Sequence, residues 1–450
     1  MSQPNVLLIV LDAVRKDHLS CYGHDRETTP NLDRLASEGT RYEQAIAAAP
    51  WTPPSHASMF TGQYPSGHGV FSGSPRLATD VPTVAELLSG AGYATFGFSN
   101  SRHTSAEHDF DRGFDYYHDI LELPRFMDRM YEPSLDFATY ALRWLLFDDD
   151  DSYYQLRKLK QKIRGEDDPF FGFINLNTAH SPYDPPERYT GFVDEFDRWD
   201  EVDEENVRSL VRNGGYEFML DRRSATDAEW ELVKRKYDSE IRYMDALLGN
   251  FFDFLGEEGY YDETLILVTA DHGEHFGEHG LAYHQFSLFE ELVNVPLVVK
   301  RPEQHSGGAT DELRSLVDVA PTIATAAGVD PPESVRGHPL QAGEGHETVF
   351  AEYAGPYPPL RDRWGTYDGF EQYDRGLQAV RTGEHKLIAG TDGQRALYDV
   401  TDGERPVDDD AIADELGETL EAGLGNLAAG RQPADLDEHV EEHLERMGYM

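Results

Sequence analysis

The sequence predicts an α/β fold: a doubly wound, mainly parallel sheet with helices on both faces, followed by a small C-terminal α+β subdomain. Three observations predict it. Apolar runs of strand length, NVLLIVL, FFGFINL and TLILVTA, stop abruptly at polar residues, as strands buried on both faces do. Segments with helical spacing lie between them, foremost 229–256, where Val233, Tyr237, Ile241, Met244, Leu248, Phe251 and Leu255 recur every three or four positions. Beyond about 345 the pattern changes to short alternating segments (TVFAEY, LQAVRTGEHKLIAG, RALYDV), which read as a small antiparallel sheet with a helix.

Taken in order, residues 5–12 form the first buried strand and close on Asp12. In TTPNLDRLASEGTRYEQAIA, Leu32, Leu35 and Ala36 fall at helical spacing and Gly39 is a plausible stop. TVAELLSGAGYATFGFSN reads as helix, glycine turn and strand. The strand at 169–177 ends just before His180, and the one at 263–275 runs into DHGEH. NVPLVVKRP is a further strand. Residues 120–168, with DDDDS at 148–152 and a basic helical patch at 157–164, read with about 185–228 as insertions over one end of the sheet. They are either surface decoration or a substrate lid. The division expected is a large domain over 1–340 and a C-terminal subdomain over 345–450, acidic and helical from about 403. There is no internal repeat.

The chain has 450 residues, 39% hydrophobic and 12% aromatic, enough apolar material for a large core despite a formal net charge of −45. Such acidity repels phosphate backbones and anionic lipid, so nucleic-acid binding and membrane-surface binding are excluded as general functions. The carboxylates are dispersed, and only eight of the 39 basic residues are lysine. That balance suits salt-saturated cytoplasm, where screening shortens to about 3 Å at 1 M; a specific basic partner is the other reading. A single cysteine, Cys21, excludes an intrachain disulfide. The N-terminus lacks a basic n-region and no run of 18 apolar residues occurs, so a soluble, cytoplasmic protein without membrane insertion is expected.

Open α/β sheets bind ligands at their strand ends. Asp12 closes one apolar run; Asp271 and His272 close another. A carboxylate plus an adjacent carboxylate–imidazole pair forms much of a divalent metal site if the two strands are neighbours, whereas a single strand-end Asp is more often a turn residue. In APWTPPSHASMFTG, Pro53 and Pro54 fit a first helical turn, which puts Thr52 at the N-cap. There it is either a helix cap or a hydroxyl nucleophile beside backbone N–H groups that hold an anion. His180 follows a buried strand, and His275, His279 and His284 follow the DHG turn. A lone histidine is more often structural, but clustering near strand ends singles out His180 and His284.

These pieces together resemble the sulfatase family of the alkaline phosphatase superfamily. The matching stretches are NVLLIVLDAVRKDHLSCYGHDRETTPNLDRLASEGTRYEQAIA, TPPSHASMFTGQYPSGHGV, NLNTAHSPY, YDSEIRYMDALLGNFFDFL, VTADHGEHFGEHGLAYHQFSLFEELVNVPLVV and LRSLVDVAPTIATAAG, collinear over roughly 5–400. AVRTGEHKLI and ALYDVTD resemble the family's C-terminal subdomain. The resemblance implies an alkaline-phosphatase-like fold and metal-dependent hydrolysis of sulfate or phosphate esters, with calcium, magnesium, manganese or zinc. It also implies a small-molecule, glycan-linked or lipid-linked anionic ester as substrate, and leaves the oligomeric state open.

By the same resemblance Asp12, Asp271 and His272 match metal ligands. Thr52 matches the nucleophile, which also touches the metal, and His180 the histidine at the substrate anion or leaving group. His284 lies where arylsulfatases place a lysine, and Asn100 falls near the family's second basic cluster. This sequence departs from the pattern at three points. T-P-P-S-H stands where arylsulfatases carry C/S-x-P-S-R, whose first residue becomes formylglycine; His56 replaces the arginine; Ala13 replaces the second Asp of the usual pair. Threonine cannot become that aldehyde. The expectation is therefore a threonine-nucleophile hydrolase favouring phosphodiesters or other phosphoesters over sulfate esters. The alternatives are a sulfatase without formylglycine, a phosphotransferase and, last, a non-catalytic metal-binding relative.

Overall fold

The structure is a computed structural model, and it describes residues 3–77, 80–119 and 152–425. The apolar runs become the strands of one eight-stranded sheet: β1 (Asn5–Leu11), β2 (Thr40–Ile46), β3 (Ala94–Ser99), β4 (Tyr116–Asp119), β5 (Phe170–Leu176), β6 (Thr264–Thr269), β9 (Asn294–Lys300) and β10 (Gly308–Ser315). A two-residue hairpin, β7 (His275–Phe276) with β8 (Ala282–Tyr283), lies outside it. The spatial order is β10-β2-β9-β6-β1-β5-β3-β4. All pairings are parallel except those of β9, which runs antiparallel to both β2 and β6.

The middle of the sheet decides where chemistry can sit. In β1, Val6 to Leu11 are all buried, as are all residues of β5 and β6. Each fully buried aliphatic side chain contributes roughly 1.5–3 kcal/mol, so register here is firmly held. β1 pairs in parallel with β6 (Val10 opposite Thr269) and with β5 (Leu11 opposite Leu176). The ends of all three strands therefore share one edge.

Helices close both faces. Asp227–Glu257 spans 31 residues and starts at a capping box, with Thr226 accepting from the Glu229 amide and Glu229 returning the bond. Its Tyr237, Ile241, Met244, Leu248, Phe251 and Leu255 are buried. Pro30–Glu38 buries Leu32, Leu35 and Ala36 and ends at Gly39. Val84–Gly90 begins at a second capping box, built from Thr83 and Glu86.

Of the expected insertion at 120–168, residues 120–151 lie outside the described residues; Ser152–Arg164 is a helix. The 185–228 stretch contributes short helices, among them Glu204–Leu210 and Gly214–Met219. The C-terminal segment forms a five-stranded antiparallel meander, β11 (Val349–Tyr353), β12 (Leu377–Arg381), β13 (His385–Gly390), β14 (Arg395–Asp399) and β15 (Arg405–Val407). Helix Asp410–Leu424 packs Leu416 and Leu420 against it, and the remainder of the expected acidic tail, 426–450, lies outside the described residues. The meander joins the main sheet through β11, where the Glu352 amide donates to Ala48 O (2.9 Å).

Candidate active site

Two adjacent strand ends build the centre. Asp12 directly follows β1 and is held by its amide, which donates to Leu176 O (2.9 Å). The chain then turns through Ala13 at φ +60°, a conformation L-residues rarely adopt. Tyr237 of the long helix pins that turn: its hydroxyl donates to Ala13 O (2.7 Å) and accepts from the Arg15 amide (2.7 Å). Asp271 lies two residues beyond β6. Its Oδ1 accepts from the amides of Ala13 (3.2 Å) and His272 (3.0 Å). Gly273 follows because the backbone of Glu291 crosses there; a Cβ would sit 1.9 Å from Glu291 O.

Asp12, Asp271 and His272 each offer a ligand atom within 4.8 Å of the others, and all three are buried. Nδ1 of His272 donates to Gly273 O (2.8 Å), which leaves the Nε2 lone pair facing Asp12 Oδ1 (3.8 Å) and Asp271 Oδ2 (3.4 Å). Asn175 Nδ2 donates to the other oxygen of Asp12 (3.0 Å). Asp12 Oδ1 and Asp271 Oδ2 have no hydrogen-bond partner among the described residues. Two unsatisfied carboxylate oxygens and an imidazole nitrogen, buried and convergent, fit a divalent cation. The electrostatics agree. Burial, then Asp271, pushes the Asp12 carboxyl up; burial pushes Asp271 up to about 7 and His272 down to about 3. Without a positive charge between them these groups favour their neutral forms.

Thr52 opens helix Thr52–Thr61, and its Oγ1 lies 3.3 Å from His272 Nε2. Ser55 Oγ donates to Asp271 O (2.7 Å), tying the first turn to the ligand strand. Two expectations need correction. Thr52 is the first helical residue, with extended Trp51 at the N-cap, so its hydroxyl is not spent on a cap. The helix end is also poor in donors: Pro53 and Pro54 have no N–H and the Ser55 amide turns to Trp51 O (3.4 Å), which leaves only the Thr52 amide of that turn.

The His284 ring lies tilted beside that of His272 and edge-on to that of His180, with centroids 4.4 and 5.1 Å away. Its Nδ1 faces Glu274 (3.3 and 3.4 Å), which also accepts from the Tyr183 hydroxyl (3.2 Å). Burial lifts Glu274 to about 7, and burial followed by His180 holds His284 well below the ordinary imidazole range. His180 Nδ1 bonds Ser181 O (2.9 Å). His56 is completely buried; Nδ1 donates to Thr52 O (3.0 Å) and lies 3.4 Å from Asp271 Oδ2. The structure thus brings Asp12, Thr52, His56, His180, Asp271, His272 and His284 together. It turns His275 to Ser287 Oγ (2.8 Å) and stacks His279 on Phe289 (3.9 Å). Sequence reasoning missed Glu274, Asn175 and Tyr237. Only Glu274, next to DHG, carried a signal.

The sulfatase family model matches residues 4–329, and the model for the C-terminal region of N-sulphoglucosamine sulphohydrolase matches 277–414. The chain belongs to the sulfatase family. Members of this family are ester-bond hydrolases, generally dependent on a divalent metal. An ulvan-active sulfatase of Formosa agariphila is 22% identical over 426 residues, covering 88% of this chain and 75% of that protein. A solved complex with D-glucosamine-2-N,6-O-disulfate as substrate superposes with a TM-score of 0.70 at 18% identity, covering 94% of this chain and 97% of the other. The phosphonate monoester hydrolase of Agrobacterium radiobacter gives 0.68 at 21% identity, covering 99% and 95%. The fold is accordingly the alkaline-phosphatase-like α/β fold of sulfatase structures.

Proposed function

We propose that the chain hydrolyses a phosphate or sulfate ester, phosphodiesters foremost, through a covalent intermediate on Thr52. The observation that carries this reading is Thr52 Oγ1 3.3 Å from His272 Nε2, beside two carboxylates with unsatisfied oxygens. Asp12, Asp271 and His272 would hold a divalent metal ion, which when bound acidifies a neighbouring hydroxyl and offsets charge on the transferred group. Thr52 loses its proton to solvent and attacks the central atom; the bond to the leaving oxygen breaks as Thr52 acquires the phosphoryl group. His284, kept neutral by burial, gives its Nε2 proton to that oxygen as the Glu274 carboxyl, raised to about 7, passes its own proton to Nδ1 and takes it back when Nε2 is reprotonated; His180 contacts the anion. Nε2 then takes a proton from water, whose oxygen displaces Thr52. His56 holds Asp271 and the Thr52 carbonyl in place.

A threonine ester suits phosphoryl transfer, because in-line attack by water releases it. A sulfated threonine lacks the hemiacetal route by which formylglycine expels sulfate. The second reading is sulfate ester hydrolysis without formylglycine, favoured by the name of the ulvan-active relative. Bis(4-nitrophenyl) phosphate and 4-nitrophenyl sulfate, assayed in molar salt with divalent metals, separate the two. Phosphodiester turnover is expected to be faster, to vanish in Thr52→Ala and to persist in part in Thr52→Ser. Faster sulfate turnover than with every phosphoester tested, or an active Thr52→Ala, would overturn the mechanism. A merely structural Thr52 would leave turnover unchanged in the Thr52→Ala protein that stays folded.

A further inference from the structure

The loop that delivers His284 is strained and is held from outside. His279, Tyr283 and Phe286 all have positive φ (57°, 66° and 72°), a strained conformation for side-chain-bearing residues. Such backbone persists only where its surroundings over-determine it. Tyr283 immediately precedes His284, and the two side chains serve different neighbourhoods. His284 meets Glu274, His272 and His180. The Tyr283 hydroxyl donates to Leu210 O (2.9 Å), at the end of Glu204–Leu210, and accepts from the Gly215 amide (3.1 Å), near the start of Gly214–Met219. Its ring lies 4.7 Å from that of Tyr216, and a Cβ on Gly215 would stand 2.5 Å from the phenol ring. Glycine is thus required where the ring enters.

We propose that the helix pair Glu204–Leu210 and Gly214–Met219 is a socket that sets the position of the His284 imidazole, with Tyr283 as the positioning residue. The inference rests on the reading of His284 as the group that protonates the leaving oxygen. It assigns the 185–228 insertion a task other than decoration or lid: it grips the far side of the catalytic loop. Phe286, three residues on, adds a second grip through Tyr353 and Tyr373 (6.2 and 5.5 Å).

The test compares Tyr283→Phe, Gly215→Ala and His284→Ala with wild type on phenyl and 4-nitrophenyl leaving groups, each as a phosphate diester and as a sulfate. A mispositioned acid harms the basic leaving group most. Tyr283→Phe is expected to lower kcat for the phenyl ester of the better-cleaved anion about tenfold. The 4-nitrophenyl ester should be affected far less, KM and metal content should hold, and Tm should fall modestly because Leu210 O and the Gly215 amide lose their partner. Gly215→Ala should give the same leaving-group dependence with a larger loss of Tm, and Tyr283→Phe keeps the question answerable if Gly215→Ala does not fold. Unchanged leaving-group dependence in Tyr283→Phe, or equal loss on both leaving groups with a lowered Tm, would overturn the socket while a damaged His284→Ala left the His284 reading standing. Wild-type kcat in His284→Ala would remove that reading and the socket with it.

Discussion

Asp271 concentrates the physics of the site in one side chain. One oxygen takes two backbone amides and the other takes no hydrogen bond, so the residue is half turn-former and half waiting ligand. Asp271→Asn retains the first half and removes the second. We expect it to lose bound divalent metal and turnover together, as read by elemental analysis and assay. In chelator-treated samples its Tm should equal or exceed wild type, because a buried charge beside Asp12 is gone. Stoichiometric metal in the variant would reject the ligand assignment. Residues such as Asp12, Asp271 and His272 were legible because each ends an apolar run, where side chains collect at one sheet edge. Tyr237 was not, because its partners, Ala13 and Arg15, lie more than 220 residues away; Glu274 sat in the DHG segment but looked like one more of many acidic residues. The anion-holding role expected for the helix end failed for a local reason visible in the sequence itself, two prolines without N–H groups.

At the scale of elements, existence was easier to read than direction. A strand buried on both faces shows the same unbroken apolar run whichever way it points, so nothing in NVPLVVK announced that β9 runs antiparallel. The meander was legible from its alternation; its attachment was not. Lys386 of β13 is buried against Leu288 O (2.9 Å), Glu290 (3.0 Å) and Glu404 (2.6 Å), a charge node between the meander and the catalytic loop. Lys386→Met leaves Glu404 without its cation and Glu290 with Arg381 alone, and is expected to destabilise the protein by about 3–5 kcal/mol, measured by denaturant unfolding. The node also has a pH signature. Burial raises the Glu290 carboxyl, but Lys386 and then Arg381 outweigh it and bring it from 4.5 to about 2. A depressed carboxyl stabilises fully above its unfolded pKa, so this contribution is lost as pH falls from about 4.5 towards 2. Glu404, raised by burial, works in the opposite direction. Acid unfolding followed by circular dichroism should start at higher pH once Arg381→Met weakens the hold on Glu290.

For the whole molecule, the formal charge of −45 sets the working conditions. We propose that the acidity is an adaptation to molar salt. The protein should be folded and active in molar KCl and lose structure or activity on dialysis to low ionic strength, as self-repulsion is unscreened. Undiminished stability in dilute buffer would mean that the acidity serves another purpose. No helix among the described residues is long and apolar enough to cross a membrane.

The order of strands also has a consequence during synthesis. β1 is made first, yet its neighbours in the sheet, β5 and β6, begin at residues 170 and 264. At roughly 5–20 residues per second, some 12–50 seconds separate the emergence of the innermost strand from that of its second partner. Until β5 emerges NVLLIVL has neither sheet neighbour, and until β6 emerges only one, so an uncharged, β-branched segment stands open, the composition that seeds association between nascent chains. The strand that best secures the finished enzyme is therefore its greatest hazard at birth, because the first fifty residues carry seven carboxylates against five cationic side chains and add little repulsion between nascent chains.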